Sequence, residues 1–242
     1  RGGAGTYVVL NSSRDITGQA GPMARQLRLS LARERPASLD AFARGASNAE
    51  AVAAVEAWPA WQGGCLTIVG PQGAGKSHLA QAWAALAGAL VVNRDLADAG
   101  AAAGRPVLLE DADRGVPPEA LFHLINLAAR QGGGLLLTAR TRPVTWPSDL
   151  PDLRSRLNAL PVAEIGPPDD MVLEGVLRTF FRDRNIRPPD EVFPYLLARM
   201  GRSIPDAQEI VRRLDEAGDE GFRPITRVLA RQILEENQEL DL

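Results

Sequence analysis

The sequence of 242 residues is poor in metal-binding and cross-linking side chains, with one cysteine and two histidines. A single cysteine, Cys65, excludes an internal disulfide framework, and His78 and His123 add too few ligands for a structural zinc site. The longest uninterrupted apolar run, Ala82–Val92, is too short for a bilayer-spanning helix, which needs about 20 residues. These absences favour a cytoplasmic protein in a reducing environment, without a membrane segment.

The chain also lacks an excess of positive charge. Its 27 basic and 30 acidic residues give a formal net charge of −3. A general nucleic-acid binder usually carries a basic surplus. We therefore expect any contact with DNA to be local or indirect. The hydrophobic fraction of 45% is ordinary for a globular protein and allows a sizeable buried core.

The first 22 residues differ in character from the rest. Residues 1–22 are rich in Gly, Ser and Thr, and their apolar piece is too short for the core of a signal peptide. We interpret this stretch as an expression leader that ends at Gly21-Pro22, with Met23 as the natural start. A native disordered arm is the alternative interpretation.

Short continuous apolar runs recur along the next part of the chain. Such runs are typical of strands that are buried on both faces of a parallel sheet. The five runs are Leu66–Val69, Ala89–Val92, Val107–Leu109, Leu135–Thr138 and Val162–Ile165. Helical patterns lie between them, so the sequence predicts a three-layer α/β domain with a five-stranded parallel sheet.

The pattern changes after Gly166-Pro167-Pro168. Apolar residues now recur at helical spacing, and no strand candidate follows. The predicted helical stretches are Asp169–Asn185, Pro189–Met200, Pro205–Glu216 and Pro224–Asn237. We therefore expect an α/β domain over 35–167 and a small helical domain over 168–242.

The strongest chemical signal is a complete phosphate-loop motif, Gly70–Ser77, with the pattern G-x-x-x-x-G-K-S. It follows a predicted strand and opens a predicted helix, which is the context that the motif requires. Backbone N–H groups of such a loop and the positive end of the helix dipole attract phosphate. The lysine adds a charge for the β- and γ-phosphates, and the serine can bind Mg²⁺. The predicted nucleotide-binding residues are Gly73, Ala74, Gly75, Lys76 and Ser77. A Gly-rich turn without function would leave the Lys-Ser pair unexplained.

Polar side chains follow two further strands. Glu110 and Asp111 stand at the carboxyl end of a buried strand, where ligands of α/β sheets bind. We expect Glu110 to help hold Mg²⁺ through water and Asp111 to orient the attacking water. Two solvated carboxylates are the alternative. Thr138, at the end of the next strand, is a candidate sensor of the γ-phosphate, or else a hydroxyl that caps the backbone.

A pair of arginines, Arg154 and Arg156, follows a proline-rich loop. Arginines at this spacing are usually solvated. The functional alternative is an arginine finger that reaches the nucleotide of another subunit, a charge that contributes about 10³ to 10⁵ in rate.

In this order, the motifs resemble those of AAA+ ATPases, and in detail the DnaA/Hda branch of that family. The segments that carry the resemblance are Phe42–Asn48, Gly75–Leu79, Leu136–Pro143 and Asp152–Leu157. The resemblance implies an AAA+ domain with a C-terminal helical lid that binds ATP or ADP with Mg²⁺. It places Phe42, Asn48 and His78 beside the nucleotide and the arginine finger at Arg156.

Two positions depart from the pattern of that branch. The lid usually carries a sensor arginine where this chain has Ser203–Asp206, and the resemblance makes the nearby Arg202 the candidate replacement. Arg140 stands where the branch often has aspartate. Both departures imply weak ATPase activity of the chain itself, or none.

The resemblance also implies partners. No basic helix-turn-helix follows the lid, so the chain is similar to the short Hda-type members, which switch off the initiator DnaA. The segment Gln26–Leu31 within 23–34 alternates leucine with polar residues, which places Leu27, Leu29 and Leu31 on one face of an extended peptide. It resembles the peptide by which these proteins bind the β-subunit sliding clamp of DNA polymerase. An ordinary edge strand is the alternative.

Three functional hypotheses follow. The favoured one is a regulatory protein that docks on the DNA-loaded clamp, contacts DNA only through it, and stimulates ATP hydrolysis by DnaA through Arg156. The second is a nucleotide-gated adaptor without a catalytic contribution. The third is an ATPase of the helicase-loader type. Because AAA+ fingers act between subunits, a homodimer or larger oligomer is compatible with all three.

Overall fold

A computed structural model describes residues 38–95, 102–131, 133–221 and 224–240, and it leaves out the side chains of 131, 219–221 and 236–240. The predicted leader (1–22) and the predicted clamp-binding segment (23–34), with Gln26, Leu27, Leu29 and Leu31, lie outside the described residues. Both predictions therefore stay predictions.

Five parallel strands form the sheet, as the apolar runs predict. The strands are β1 (Cys65–Val69), β2 (Leu90–Val92), β3 (Val107–Leu109), β4 (Leu135–Ala139) and β5 (Val162–Glu164). Their order across the sheet is β2-β3-β4-β1-β5. Strand β4 thus lies between β1 and β3, and its register places Thr138 beside Ile68.

The central strands β1, β3 and β4 are buried on both faces, which explains why their sequences are continuous apolar runs. Leu66, Leu108 and Leu136 point into one core, and their neighbours Cys65, Leu109 and Leu137 point into another. Helices α1 (Ala49–Glu56) and α2 (Lys76–Ala87) cover the first core. Helices α3 (Pro118–Gln131) and α4 (Pro151–Ala159) cover the second. The three-layer α/β architecture is therefore confirmed.

Helix α4 is an element that the patterns above do not predict. Pro151 is its first residue, a position where proline loses no hydrogen bond because the first N–H groups of a helix have no intrahelical partner. Only Leu153 and Leu157 of this helix are buried, so its apolar signal is weak. The consequence is that Arg154 and Arg156 stand on a helix.

Four helices follow the sheet and share a core of their own. They are α5 (Asp170–Asp183), α6 (Val192–Leu197), α7 (Ile204–Gly221) and α8 (Arg227–Leu240). Helix α6 is shorter than the predicted stretch 189–200, and α7 continues past the predicted end. The domain boundary near residue 167 stays a prediction. Among the described residues, no helix is both long and apolar enough to cross a bilayer.

A polar contact joins the beginning of α5 to the segment before α1. Asp169 accepts hydrogen bonds from the backbone N–H of Val172 at 2.9 Å, as an N-cap, and of Ser47 at 2.8 Å. Partial burial raises the pKa of Asp169, but these hydrogen bonds outweigh it and hold the pKa below its ordinary value. The ionised carboxylate therefore fastens the helical part of the chain to the segment that leads into α1.

We expect Asp169→Ala to lower the free energy of unfolding by about 1 to 2 kcal/mol, because it removes an N-cap and a tertiary hydrogen bond. Since the pKa is depressed in the folded state, this contribution is complete above the unfolded aspartate pKa of about 3.9 and declines as the pH falls below it. Urea unfolding at pH 7 and at pH 3 measures both effects. Asp170→Ala is the matched control, since Asp170 forms only an exposed ion pair with Arg202. An equal loss in the two variants at pH 7 contradicts the prediction.

Candidate functional site

The carboxyl ends of three adjacent strands meet at one edge of the sheet. The phosphate loop leaves β1, Asp111 follows β3, and Arg140 follows β4. Because β4 lies between the other two strands, these segments adjoin one another. This edge is where α/β folds place their ligands.

The phosphate loop contains two glycines that the structure requires. Gly73 and Gly75 have φ angles of 77° and 100°, which favour glycine. A Cβ atom on Gly73 would lie 3.1 Å from Pro205, and one on Gly75 would lie 3.0 Å from Ile204. The backbone N–H of Ile204 also donates to the carbonyl of Gly73 at 3.1 Å. The beginning of α7 therefore rests directly on the phosphate loop.

Lys76 is the only lysine in the chain. It begins α2, is only 8% exposed, and donates from Nζ to the carbonyls of Gly70 and Pro71, each at 2.8 Å. Burial lowers the pKa of Lys76, the carboxylate of Asp111 opposes this, and the cation of Arg140 adds to it. A buried ammonium group bonded only to neutral carbonyls has unused capacity for an anion.

A cavity of about 460 Å³ opens between the phosphate loop and the C-terminal helices. Its lining includes the polar side chains of Lys76, Ser77, Asp111 and Arg140. Largely apolar residues complete the lining. They come from the segment before α1 and from α5 and α7: Ala41, Phe42, Ala43, Val172, Val176, Thr179, Phe180, Ile204, Pro205 and Gln208. The combination of a phosphate cradle and an apolar slot fits a purine nucleotide.

Phe42 and His78, two of the residues placed beside the nucleotide, stack on each other. Their ring centroids are 5.7 Å apart at an interplanar angle of 22°, and both line the cavity. Asn48 does not line it. Its side chain accepts from the N–H of Gly45 and donates to the carbonyl of Ala43, and so it shapes the segment that carries Phe42. Ala74, a residue of the phosphate loop itself, is buried.

The two carboxylates after β3 have different surroundings. Asp111 lines the cavity and has a positive φ of 50°, an unusual conformation for a residue other than glycine. Glu110 instead accepts a hydrogen bond from Gln81 at 3.0 Å and does not line the cavity. Ser77 and Asp111 supply the oxygen ligands that Mg²⁺ prefers, whereas Glu110 faces another group. Ser77 and Asp111 are thus the cavity residues that could hold Mg²⁺, and the metal roles of Ser77 and Glu110 stay predictions.

Thr138 is buried, and its hydroxyl oxygen accepts a hydrogen bond from the N–H of Asp111 at 3.0 Å. This is the backbone contact that the capping alternative predicts. The hydroxyl retains its own proton for another acceptor. Thr138 therefore positions Asp111, and a role as γ-phosphate sensor stays a prediction.

Arg156 lies away from the cavity of its own chain. It is exposed on α4, and among the described residues its guanidinium forms no hydrogen bond or ion pair. Arg156 stands in the last turn of α4, and the chain then enters β5, whose first residue is Val162. Because β5 is parallel to β1, its beginning lies toward the edge of the sheet opposite the phosphate loop. The last turn of α4, with Arg156, therefore lies toward that edge.

Arg202 also lies outside the cavity lining. Its guanidinium pairs with Asp170 at 2.8 Å and donates to the carbonyl of Pro168 at 3.3 Å. In the stretch Ser203–Asp206, where the resemblance implies a lid arginine, the N–H of Asp206 donates to the hydroxyl of Ser203. The same hydroxyl donates to the carboxylate of Asp206. This exchange caps α7. The nucleotide role of Arg202 stays a prediction.

Two contacts at the site are ones that sequence patterns do not reveal. Asp113 accepts from the N–H groups of Arg140 and Thr141, and so ties the loop after β3 to the end of β4. Ile204 and Pro205 close on the phosphate loop from more than 120 residues away. None of these three residues belongs to a recurring motif. The position of Asp113, two residues beyond the acidic pair, is the one signal in the sequence that marks the first contact.

Comparison with known proteins points to replication initiators. No family model matches the chain. A stretch of 119 residues is 29% identical to the chromosomal replication initiator protein DnaA of Thermomicrobium roseum, which covers 49% of this chain and 25% of that protein. The chain thus matches about a quarter of the length of this relative.

Among solved structures, domain III of the replication initiation protein DnaA from Thermotoga maritima has a TM-score of 0.67 at 18% identity, over 83% of this chain and 96% of that one. AMPPCP-bound DnaA from Aquifex aeolicus has a TM-score of 0.63 at 20% identity, over 76% and 67%. A mutant of Thermotoga maritima RuvB has a TM-score of 0.64 at 20% identity, over 83% and 72%. The chain therefore shares the fold of DnaA domain III and of RuvB.

Proposed function

We propose that this protein is a regulatory AAA+ protein of replication initiation that binds ATP or ADP with Mg²⁺ in the cavity beside the phosphate loop. The observation that carries this proposal is the cavity itself. It combines a phosphate loop, a buried Lys76 with neutral partners only, and an apolar slot behind Phe42. Lys76 holds the phosphates, and the slot between α5 and the 41–43 segment holds the base.

The regulatory part of the proposal rests on Arg156 and on the likeness to DnaA. Arg156 does not line the cavity of its own chain, and the last turn of α4, which carries it, lies toward the opposite edge of the sheet. An exposed guanidinium without a partner in the described part of the chain is free to enter the site of a neighbouring molecule. We propose that this neighbour is ATP-bound DnaA, and that Arg156 completes its site and accelerates hydrolysis to the ADP form.

The segment 23–34 supplies the second contact in this proposal. Gln26 and the leucines at 27, 29 and 31 would bind the groove of the sliding clamp, with the leucines buried and Gln26 hydrogen-bonded. Docking on a DNA-loaded clamp brings the protein to DNA without a basic surface of its own.

The proposal predicts that the protein together with DNA-loaded clamp accelerates ATP turnover by DnaA, and that Gln26→Ala loses most of this acceleration. The same variant should no longer be retained on immobilised clamp, while its nucleotide affinity is unchanged. Turnover is followed as phosphate release, and retention as a pull-down with ATP and with ADP. Gln232→Ala, at an exposed position on α8, is the control for a surface glutamine. Undiminished retention of Gln26→Ala contradicts the role of the segment.

A nucleotide-gated adaptor is the second candidate, and one contact favours it. The backbone hydrogen bond from Ile204 to Gly73 joins α7 directly to the phosphate loop. A nucleotide bound in the loop would therefore influence the position of the helical lid. Glu110, meanwhile, is engaged by Gln81 instead of facing the cavity. Clamp retention that depends on nucleotide, without any acceleration of DnaA turnover, would favour the adaptor.

A further inference from the structure

Arg140 directly follows the end of β4, next to the point where the phosphate loop leaves β1. Ala139 is paired in register with Val69, the last residue of β1, and its carbonyl accepts from the N–H of Gly70 at 3.3 Å. The backbone of Arg140 is therefore next to the first residue of the loop. Its side chain lines the cavity together with Lys76 and Asp111.

The backbone of Arg140 is held, but its guanidinium is not. Asp113 accepts from the backbone N–H of Arg140 at 2.9 Å. Within the described ranges, the guanidinium makes no hydrogen bond or ion pair. Arg142, two residues further on, is different, since it pairs with Glu164 at 2.7 Å. Arg140 is thus a cation without a bonded counter-ion among the described residues, on a fixed backbone beside the cavity.

Few of the described residues that line the cavity are charged. Among the described lining residues, Lys76 and Arg140 are the side chains with a permanent positive charge, and Asp111 is the negative one. Two cations that face one space repel each other unless an anion lies between them. Arg202, the arginine expected from the lid, is engaged by Asp170. A triphosphate carries more negative charge than a diphosphate, so it gains more from a second cation.

We propose that Arg140 is a specificity-determining residue that binds the terminal phosphate of a nucleoside triphosphate and makes the cavity prefer triphosphate over diphosphate. This inference rests on the proposed nucleotide function. Lys76 acts on the β-phosphate, which both nucleotides share, as well as on the γ-phosphate, whereas Arg140 acts only on the γ-phosphate, which the diphosphate lacks. The guanidinium fork suits this role because it can donate two parallel hydrogen bonds to phosphate oxygens.

The test compares the affinities of AMPPCP, a triphosphate analogue that resists hydrolysis, and of ADP, both with Mg²⁺, by calorimetry. Arg140→Ala should weaken AMPPCP binding about 10- to 100-fold, the effect of a charge-assisted hydrogen bond, and ADP binding less than about threefold. Arg142→Ala is the matched control and should change neither affinity. Arg140→Lys keeps the charge without the fork and should retain part of the preference, which also covers the case of a poorly folded alanine variant.

The two proposals fail in different ways. Equal weakening of AMPPCP and ADP, or no weakening of either, overturns the role of Arg140 while the nucleotide site stands. A wild-type protein that binds neither ligand overturns both. Thermal unfolding of each ligand-free variant, compared with the wild type, shows that a selective loss of AMPPCP binding reports recognition and not folding.

Discussion

Lys76→Ala should weaken the binding of ATP and of ADP by about 100-fold or more, since the ammonium group supplies charge-assisted hydrogen bonds of about 1.5 to 3 kcal/mol each to phosphate oxygens. The wild-type geometry supports a loss of this size. Lys76 is buried against the loop, and its two partners are neutral carbonyls. Isothermal titration calorimetry with each nucleotide and Mg²⁺ measures the change.

The control for Lys76→Ala is another cation near the loop. Arg114 is exposed, does not line the cavity, and acts on Lys76 only through its charge. Arg114→Ala should change nucleotide affinity less than about threefold, because exposed charges are screened by water and salt. If folded Lys76→Ala keeps both affinities within threefold of the wild type, the cavity is not the nucleotide site. Equal losses in the two variants would mean that general charge, and not contact with Lys76, supports binding.

Arg156→Ala should return ATP hydrolysis by DnaA to its unstimulated rate. An arginine finger contributes about 10³ to 10⁵ in rate, so the whole of any stimulation within that range depends on this one side chain. Nucleotide binding by the variant itself should be unchanged, because Arg156 does not line its own cavity. Phosphate release by DnaA, with clamp and variant added, checks the first expectation, and calorimetry checks the second.

Arg154→Ala is the matched control, because it removes a second exposed arginine from the same helix. Its guanidinium is occupied within the fold, where it donates to the carbonyl of Ser148 at 2.7 Å. Arg154→Ala should therefore keep most of the stimulation. Full stimulation by Arg156→Ala rules out the finger, and a similar loss in both variants indicates that α4 provides a general basic surface.

The sheet and the phosphate loop could be predicted because their signals are local. The three central strands β1, β3 and β4 are buried on both faces, so their sequences are continuous apolar runs. The predicted and observed bounds of all five strands differ by at most one residue at either end. The phosphate loop is a contiguous motif whose glycines and lysine are required by the backbone they form. The strand pattern also predicts that Thr138 stands near the end of its strand, and the structure places it beside Ile68 of β1.

The rest of the site depends on contacts between distant segments. Nothing near Ile204 indicates that its N–H meets the carbonyl of Gly73, because the contact arises from how α7 packs against the loop. The environments of Glu110 and Asp111 differ for a similar reason. The two residues are adjacent in sequence, but the positive φ of Asp111 directs it into the cavity, while Glu110 meets Gln81 on α2.

The presence of a single lysine gives this protein a built-in reporter. Growth on lysine labelled with ¹⁵N at Nζ would yield one side-chain signal in a nitrogen-edited spectrum. That signal would come from Lys76 in the phosphate loop. Since the amine is enclosed by two carbonyls, its proton exchange should be slow enough to observe in the cold. The frequency of that signal would then follow site occupancy in real time, in mixtures with clamp and initiator, without a mutation or an attached dye.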